Sequence, residues 1–311
     1  MKTTQSKAAA AARISVGLGR RKRAELLELL RPCFARVEPW LQAGKYTAAL
    51  MSDLPRRNGW TLAERTGDRT PDQMQRLLNR AIWDAAAVMK VVRWFAVTGL
   101  DQAARGRGRR GLSVGAIDET SQVKQGERTA GVKRHYLGCA GKVANGITTV
   151  HLAYAREGTG HALIAARQWI PREHLEDPGK RRVMRLPPDL VFRTKGQLAI
   201  DLIGEVLADG IRFDFACGDE VYGSCTQLRE YLESRGLAYV LRVPAGLLPH
   251  RGPRRQADLQ AGRRHAADRP ARLGGPLGRS WRQGPALVRL GLAGHRLPAA
   301  LPAHPPPPGH R

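Results

Sequence analysis

The sequence predicts an α/β protein in which a helical N-terminal region precedes a mixed sheet that is incomplete at its C-terminal end. Apolar residues recur at helical spacing through residues 24–100, and short apolar strands alternate with helices between 112 and 243. From 245 onward the chain loses most of the residue types that build a core. We therefore divide the 311 residues into a basic flexible arm (1–23), a helical domain (24–104), a linker (105–111), a partial sheet domain (112–244) and a disordered tail (245–311).

The helical region has recognisable helix starts. Pro71 suits the first position of a helix whose apolar residues then recur three and four apart, beginning with Met74 and Leu77. Asp84 is placed to cap a further helix that carries Val88 and Val92. The glycine- and arginine-rich stretch that follows, 105–111, is typical of a linker.

The sheet domain is predicted to have the element order β-β-β-α-β-α-β. This order indicates an α/β sheet with an antiparallel start. The predicted strands and helices are, in chain order, Leu112–Ile117, His135–Cys139, Ile147–Tyr154, the helix Gly196–Ala208, Ile211–Cys217, the helix Thr226–Ser234 and Leu237–Val243.

The tail has an unusual composition. Residues 245–311 contain 12 Arg against 2 Asp and 11 of the chain's 20 Pro, but no Lys, Glu, Ile, Met, Phe, Tyr, Cys, Asn or Thr. Such a segment does not carry enough core-forming side chains to fold. Two explanations remain open: GC-rich DNA read out of frame after a frameshift, or a genuine low-complexity basic tail that binds nucleic acid.

The overall charge predicts a polyanionic partner. The chain has 52 Lys and Arg against 27 Asp and Glu, a formal net charge of +25.

No apolar run is long enough to span a membrane, and the N-terminus lacks the apolar stretch of a signal peptide. The four cysteines form no C-x-x-C pair, so we expect neither a disulfide framework nor a thiolate zinc site. A cytoplasmic protein associated with DNA, without a membrane or small-molecule partner, is the expectation.

Two aspartates follow strands of the predicted sheet. Asp118 follows Leu112–Ile117, and Asp219 follows Ile211–Cys217. If these strands are neighbours, both carboxylates converge at one end of the sheet, where they would favour Mg²⁺ or Mn²⁺. Metal ions in such a site suit in-line displacement at phosphorus. Glu119 and Glu220 are expected to point away, because successive strand residues face opposite sides.

Ten short stretches in one order carry a family resemblance. They are Arg57–Trp60, Gln75–Asn79, Ala81–Asp84, Asp118–Thr120, Gly131–Tyr136, Ala140–Gly141, Leu152–Tyr154, Ile170–Pro171, Phe192–Lys195 and Gly218–Gly223. Together they resemble the transposases of bacterial insertion sequences with a DDE catalytic site, of the insertion-sequence 701 type. The resemblance implies an RNase H-like fold, with Asp118 and Asp219 as the first two members of a metal-binding triad. It also implies DNA as partner and assembly as a homo-oligomer on paired element ends. Lys124, Arg134 and Lys195 are predicted to contact DNA, together with the helical domain.

The third acidic residue of the family is missing from this sequence. The family carries a glutamate on a later helix, but no glutamate follows Glu233 here. We therefore expect a transposase that is truncated or frameshifted at its C-terminal end and impaired or inactive. Two alternatives remain: a non-catalytic DNA-binding remnant that competes for element ends, and a translated pseudogene product that folds poorly.

Overall fold

The computed structural model describes residues 2–106, 108, 111–244 and 287–291. It divides into two compact units, which are considered separately below. The first unit consists of Met1–Gly111, Arg156–Ala165 and Val206–Ile211; the second consists of Leu112–Ala155, Ala166–Glu205 and Arg212–Arg311.

Five helices and one 3₁₀ turn make up the N-terminal part of the chain. They are α1 (Lys2–Leu30), the 3₁₀ turn Arg31–Cys33, α2 (Val37–Leu50), α3 (Gly59–Arg65), α4 (Asp72–Asn79) and α5 (Ala85–Gly106). The start of α5 agrees with the prediction, since Asp84 Oδ1 accepts a hydrogen bond from the Ala87 amide at 2.9 Å.

The observed helix bounds differ from the predicted division at two places in this region. Residues 1–23 were predicted to be a flexible arm, but α1 begins at Lys2. The run of alanines at 8–12 followed by arginines and lysines has high helix propensity, and this local preference prevails over the basic charge. The linker predicted at 105–111 was placed two residues too early, because α5 continues to Gly106.

The rest of the chain forms a mixed sheet with helices. The strands are β1 (Ser113–Val123), β2 (Lys133–Leu137), β3 (Lys142–Arg156), β4 (Gly160–Trp169), β5 (Phe215–Gly218), β6 (Ala238–Val243) and β7 (Leu287–Gly291). The helices are α6 (Arg172–Glu176), α7 (Pro178–Val183), α8 (Lys195–Ala208), α9 (Glu220–Gly223) and α10 (Thr226–Ser234).

The strand order is β2-β3-β1-β5-β6-β7, and β4 pairs with β3 outside this order. β5 lies parallel to both β1 and β6, whereas β2 with β3 and β6 with β7 are antiparallel. The predicted architecture, a mixed α/β sheet preceded by a helical region, is therefore confirmed.

Most strand bounds shift by a few residues, and β5 begins at Phe215 instead of Ile211; three other strands differ more fundamentally. β1 continues to Val123 instead of ending at Ile117. β4 was not predicted, because its sequence lacks the alternation of apolar and polar residues that marks a half-buried strand. β7 lies within the segment predicted to be disordered, and it pairs with the edge of β6. The remainder of 245–311 lies outside the described residues.

Buried side chains hold α8 and β6 in place. The stripe predicted on α8 is buried, with Leu202 and Ile203 at 1% and 0% exposure. Along β6, Tyr239, Leu241 and Val243 alternate with less buried neighbours. Within the ranges that the structure describes, no helix combines the length and apolar character needed to cross a bilayer.

Candidate active site

Adjacent parallel strands place Asp118 and Asp219 side by side. Ile117 pairs with Gly218 at the end of the β1–β5 ladder, and each aspartate is the next residue along the chain. β5 ends at Gly218 while β1 continues, so Asp118 lies where β1 loses its parallel neighbour. The two strands are neighbours, as the sequence argument required. The role of both aspartates as metal ligands stays a prediction.

Asp219 lies in an environment that disfavours its charge. Its Oδ1 caps α9 by accepting a hydrogen bond from the Val221 amide at 3.0 Å. Burial raises the pKa of this carboxyl, and the negative charges of Glu119 and Asp118 raise it further against the opposing backbone hydrogen bonds. Neighbouring carboxylates repel one another, and a bound cation would relieve the repulsion between Asp118 and Asp219.

Glu119 has a structural role that the sequence did not predict. Lys195 Nζ, at the start of α8, donates to Glu119 Oε1 at 2.6 Å, and the Tyr222 hydroxyl donates to Oε2 at 2.9 Å. Burial and the charge of Glu119 both raise the pKa of Tyr222, so its hydroxyl remains a donor. Glu119 thus ties the start of α8 and the α9 turn that carries Asp219 to β1. Its two oxygens are occupied by these contacts.

A cleft of about 320 Å³ opens beside Asp118. It is lined by Asp118, Glu119, Thr120, Ser121, His135, Tyr136, Gly138, Cys139 and Lys195. Lys195 is therefore the one predicted DNA contact in the cleft lining. Lys124 and Arg134 are not in that lining. The Lys124 amide donates a hydrogen bond to the Asn145 carbonyl on β3. Arg134 on β2 is the register partner of the same Asn145.

Two histidines near the cleft were given no role by the sequence argument. Two contacts fix the antiparallel register between β1 and β3: Lys124 with Asn145, and Ser121 with Thr148. In this register, His151 lies opposite Asp118. Burial lowers the pKa of His151, and the Asp118 carboxylate opposes this effect. His135 Nε2 lies 3.0 Å from Thr148 Oγ1. Aligning the first and third strands antiparallel would have revealed the Asp118–His151 neighbourhood.

The donor set fits a divalent metal ion only in part. Asp118 and Asp219 are carboxylates of the kind that Mg²⁺ and Mn²⁺ prefer. Across residues 2–106, 108, 111–244 and 287–291, however, no three His, Cys, Asp or Glu side chains converge as a metal site. The described residues thus supply two candidate ligands and lack the third.

Comparison with known proteins identifies the family. A family profile described as "DDE superfamily endonuclease" matches residues 30–282, which is most of the chain. The chain belongs to the DDE superfamily of endonucleases. Membership confirms the predicted DDE resemblance, and the mixed sheet with its helical N-terminal region has the predicted RNase H-like fold of such enzymes.

A curated relative of this DDE chain carries a more specific name. The chain is 28% identical over 204 residues to a Microchaete diplosiphon protein named "Probable transposase for insertion sequence element IS701". The alignment covers 65% of this chain and 48% of the relative, so the chain spans about half the relative's length. The match to the DDE family also continues past residue 244, into the segment that was predicted to be out of frame.

Proposed function

We propose that this chain is a DNA transposase that hydrolyses phosphodiester bonds at insertion-sequence ends and then transfers the freed strands. The observation that carries the proposal is the position of Asp118 and Asp219 directly after the last residue pair of the β1–β5 ladder, in a DDE-family chain. The name of the Microchaete diplosiphon relative supports a transposase over other endonucleases.

Asp118 and Asp219 would hold the metal, either Mg²⁺ or Mn²⁺. Bound metal in such sites activates the attacking oxygen and stabilises the leaving oxygen. Glu119 would keep Asp219 in place through Tyr222 and would orient Lys195. Lys195 lies in the cleft lining, where its ammonium group could contact a DNA phosphate.

The basic charge supports DNA as the partner. The net charge of +25 favours long-range attraction to a phosphate backbone. We further propose that Lys124 and Arg134 contact DNA outside the cleft and that the helical domain at 24–104 binds element ends. The chain would act in the cytoplasm, as an assembly of copies on paired ends.

The missing glutamate leads us to propose that these 311 residues alone are impaired in catalysis. Metal position determines the rate in such sites, so loss of one ligand should greatly slow the reaction.

A frameshift within 245–311 would explain both the unusual composition of this segment and the missing glutamate. The family match through residue 282 and the pairing of β7 with β6 weigh against a change of frame directly after Val243.

Nicking of supercoiled plasmid carrying element ends, in Mn²⁺, tests the proposed function. The coding DNA is first read in all three frames from codon 240, and a frame-restored chain that regains a glutamate-bearing helix is compared with the 311-residue chain. We expect trace nicking by the 311-residue chain and strong, metal-dependent nicking by the frame-restored chain.

Variants of the frame-restored chain distinguish nicking at the Asp118–Asp219 site from nicking that does not depend on it. Asp118→Asn and Asp219→Asn should each abolish nicking, whereas Asp189→Asn, which changes an exposed aspartate of the same unit, should retain it. Strong nicking by the unmodified 311 residues would refute the impairment. The absence of any open frame with a later glutamate would refute the frameshift. Nicking that survives both site variants would refute the assignment of the site.

A non-catalytic remnant that competes for element ends is the alternative. The apolar core that the N-terminal helices form around Ala49, Leu62, Ala63 and Met74 favours it, because this core contains none of the candidate catalytic residues. This alternative predicts binding to element ends without nicking by any frame-restored chain.

A further inference from the structure

Three of the N-terminal helices form a cluster with its own core. α2, α3 and α4 pack against one another around Ala49, Leu62, Ala63 and Met74. These four side chains are between 0% and 3% exposed. Three short helices around a shared core are the framework of helix-turn-helix DNA-binding domains, in which the last helix enters the major groove.

The connection between α3 and α4 is held in a defined shape. α3 begins with a capping box, in which Asn58 accepts from the Thr61 amide and Thr61 Oγ1 accepts from the Asn58 amide. After α3 the chain turns at Gly67, whose φ of +77° suits glycine. Asp68 then anchors this turn to α2 by accepting hydrogen bonds from Lys45 and Gln42. α3 and α4 are thus fixed relative to each other.

α4 presents one buried face and one polar face. Met74 and Leu77 point into the core, while Gln75, Arg76 and Asn79 are exposed on the other side. These exposed side chains match the donors and acceptors that read base edges: Arg pairs with guanine, and Asn or Gln pairs with adenine. The face opposite the core therefore carries the side chains of a recognition helix.

The charge around α4 also suits DNA. Exposed arginines precede α4, lie on it and follow it at Arg65, Arg69, Arg76 and Arg80. Within the part of the chain that the structure describes, none of these four guanidinium groups makes an intramolecular hydrogen bond or ion pair. Guanidinium groups held at a helix surface in this way are available to DNA phosphates and bases.

We propose that α4 is a recognition helix that reads DNA sequence in the major groove through Arg76, Asn79 and Gln75. The cleft beside Asp118 would then act on DNA that α4 has selected, so this inference rests on the proposed function for its biological substrate. The connection of six residues between α3 and α4 is longer than in the shortest motifs of this class, and Asp68 compensates by fixing it to α2.

Selection from a pool of random-sequence duplexes with the full 311-residue chain tests this proposal. Binding to the selected duplex and to a shuffled duplex of the same composition is then measured for the unmodified chain and for Arg76→Ala, Asn79→Ala and Arg182→Ala. Arg182 is an exposed arginine on α7 and provides the matched control.

We expect the unmodified chain to prefer the selected duplex. Arg76→Ala and Asn79→Ala should each reduce that preference about tenfold or more, the loss typical of one side chain that reads a base edge. Their binding to the shuffled duplex at low salt should change much less. Arg182→Ala should keep the preference. Replacing guanine by 7-deazaguanine in the selected duplex should weaken binding, because it removes a major-groove acceptor.

Several results would overturn the proposal. These are the absence of any sequence preference, a preference that survives both α4 variants, and insensitivity to 7-deazaguanine. Thermal unfolding of each variant verifies that the exposed substitutions leave the fold intact. Asp118→Asn should retain the preference, so a failure of the catalytic proposal is distinguishable from a failure of this one.

Discussion

Gly223→Ala is expected to destabilise strongly the turn that carries Asp219. A Cβ atom at Gly223 would overlap the backbone carbonyl of Arg242 on β6. The obstruction is backbone and cannot rotate away, so α9 must move off β6. Overpacking of this kind destabilises proteins by about 3 kcal/mol. Urea unfolding of the unmodified and substituted chains measures the difference.

Gly126→Ala is the matched control for this substitution. A Cβ atom at Gly126 meets no other atom within 4 Å. Its replacement should therefore change the free energy of unfolding by well under about 1 kcal/mol. Equal unfolding free energies for the two variants would show that α9 does not pack against β6 as described.

Asp209→Ala is expected to have a comparable effect in the first unit. Arg93 is only 3% exposed; its guanidinium group contacts Asp209 and donates to the Ile164 carbonyl at 2.9 Å. Lys90 contacts the same carboxylate at 3.1 Å. Removing Asp209 leaves a buried positive charge without this counterion, which destabilises proteins by about 3 kcal/mol. Urea unfolding provides the measurement.

Two further variants test the electrostatic origin of that loss. Asp53→Ala removes an exposed aspartate of the same unit and should have little effect. Adding Arg93→Met to Asp209→Ala removes the buried charge and should recover part of the lost stability. If the double variant is less stable than Asp209→Ala alone, packing rather than charge accounts for the contribution of Arg93.

The candidate site was predictable where it depends on local patterns. Asp118 and Asp219 each follow a short apolar strand, and β-strand pairing brings the ends of those strands together. Glu119 could not be assigned in this way, because its partner Lys195 lies 76 residues away and belongs to a helix whose position depends on tertiary packing. Alternation predicts that Glu119 points away from Asp118, whereas both residues line the same cleft and the charge of Glu119 raises the pKa of Asp219.

The fold was predictable to a similar degree. The parallel centre of the sheet and the buried stripe of α8 follow from apolar periodicity. β4 was not predicted, because its sequence shows no alternating pattern. It forms a strand by pairing with β3, which a local pattern does not reveal. The basic charge of residues 1–23 predicts a flexible arm, but the helix propensity of alanine, arginine and lysine prevails and α1 begins at Lys2.

Binding of Mn²⁺ to the 311-residue chain tests most directly the claim that Asp118 and Asp219 form a metal site. Mn²⁺ should raise the melting temperature, since a ligand that binds the folded state at a hundredfold excess over its Kd contributes about 2.7 kcal/mol of stability. The increase should disappear in Asp118→Asn and in Asp219→Asn and persist in Asp189→Asn. An unchanged melting temperature in the unmodified chain, or an equal increase in all four proteins, would contradict the account.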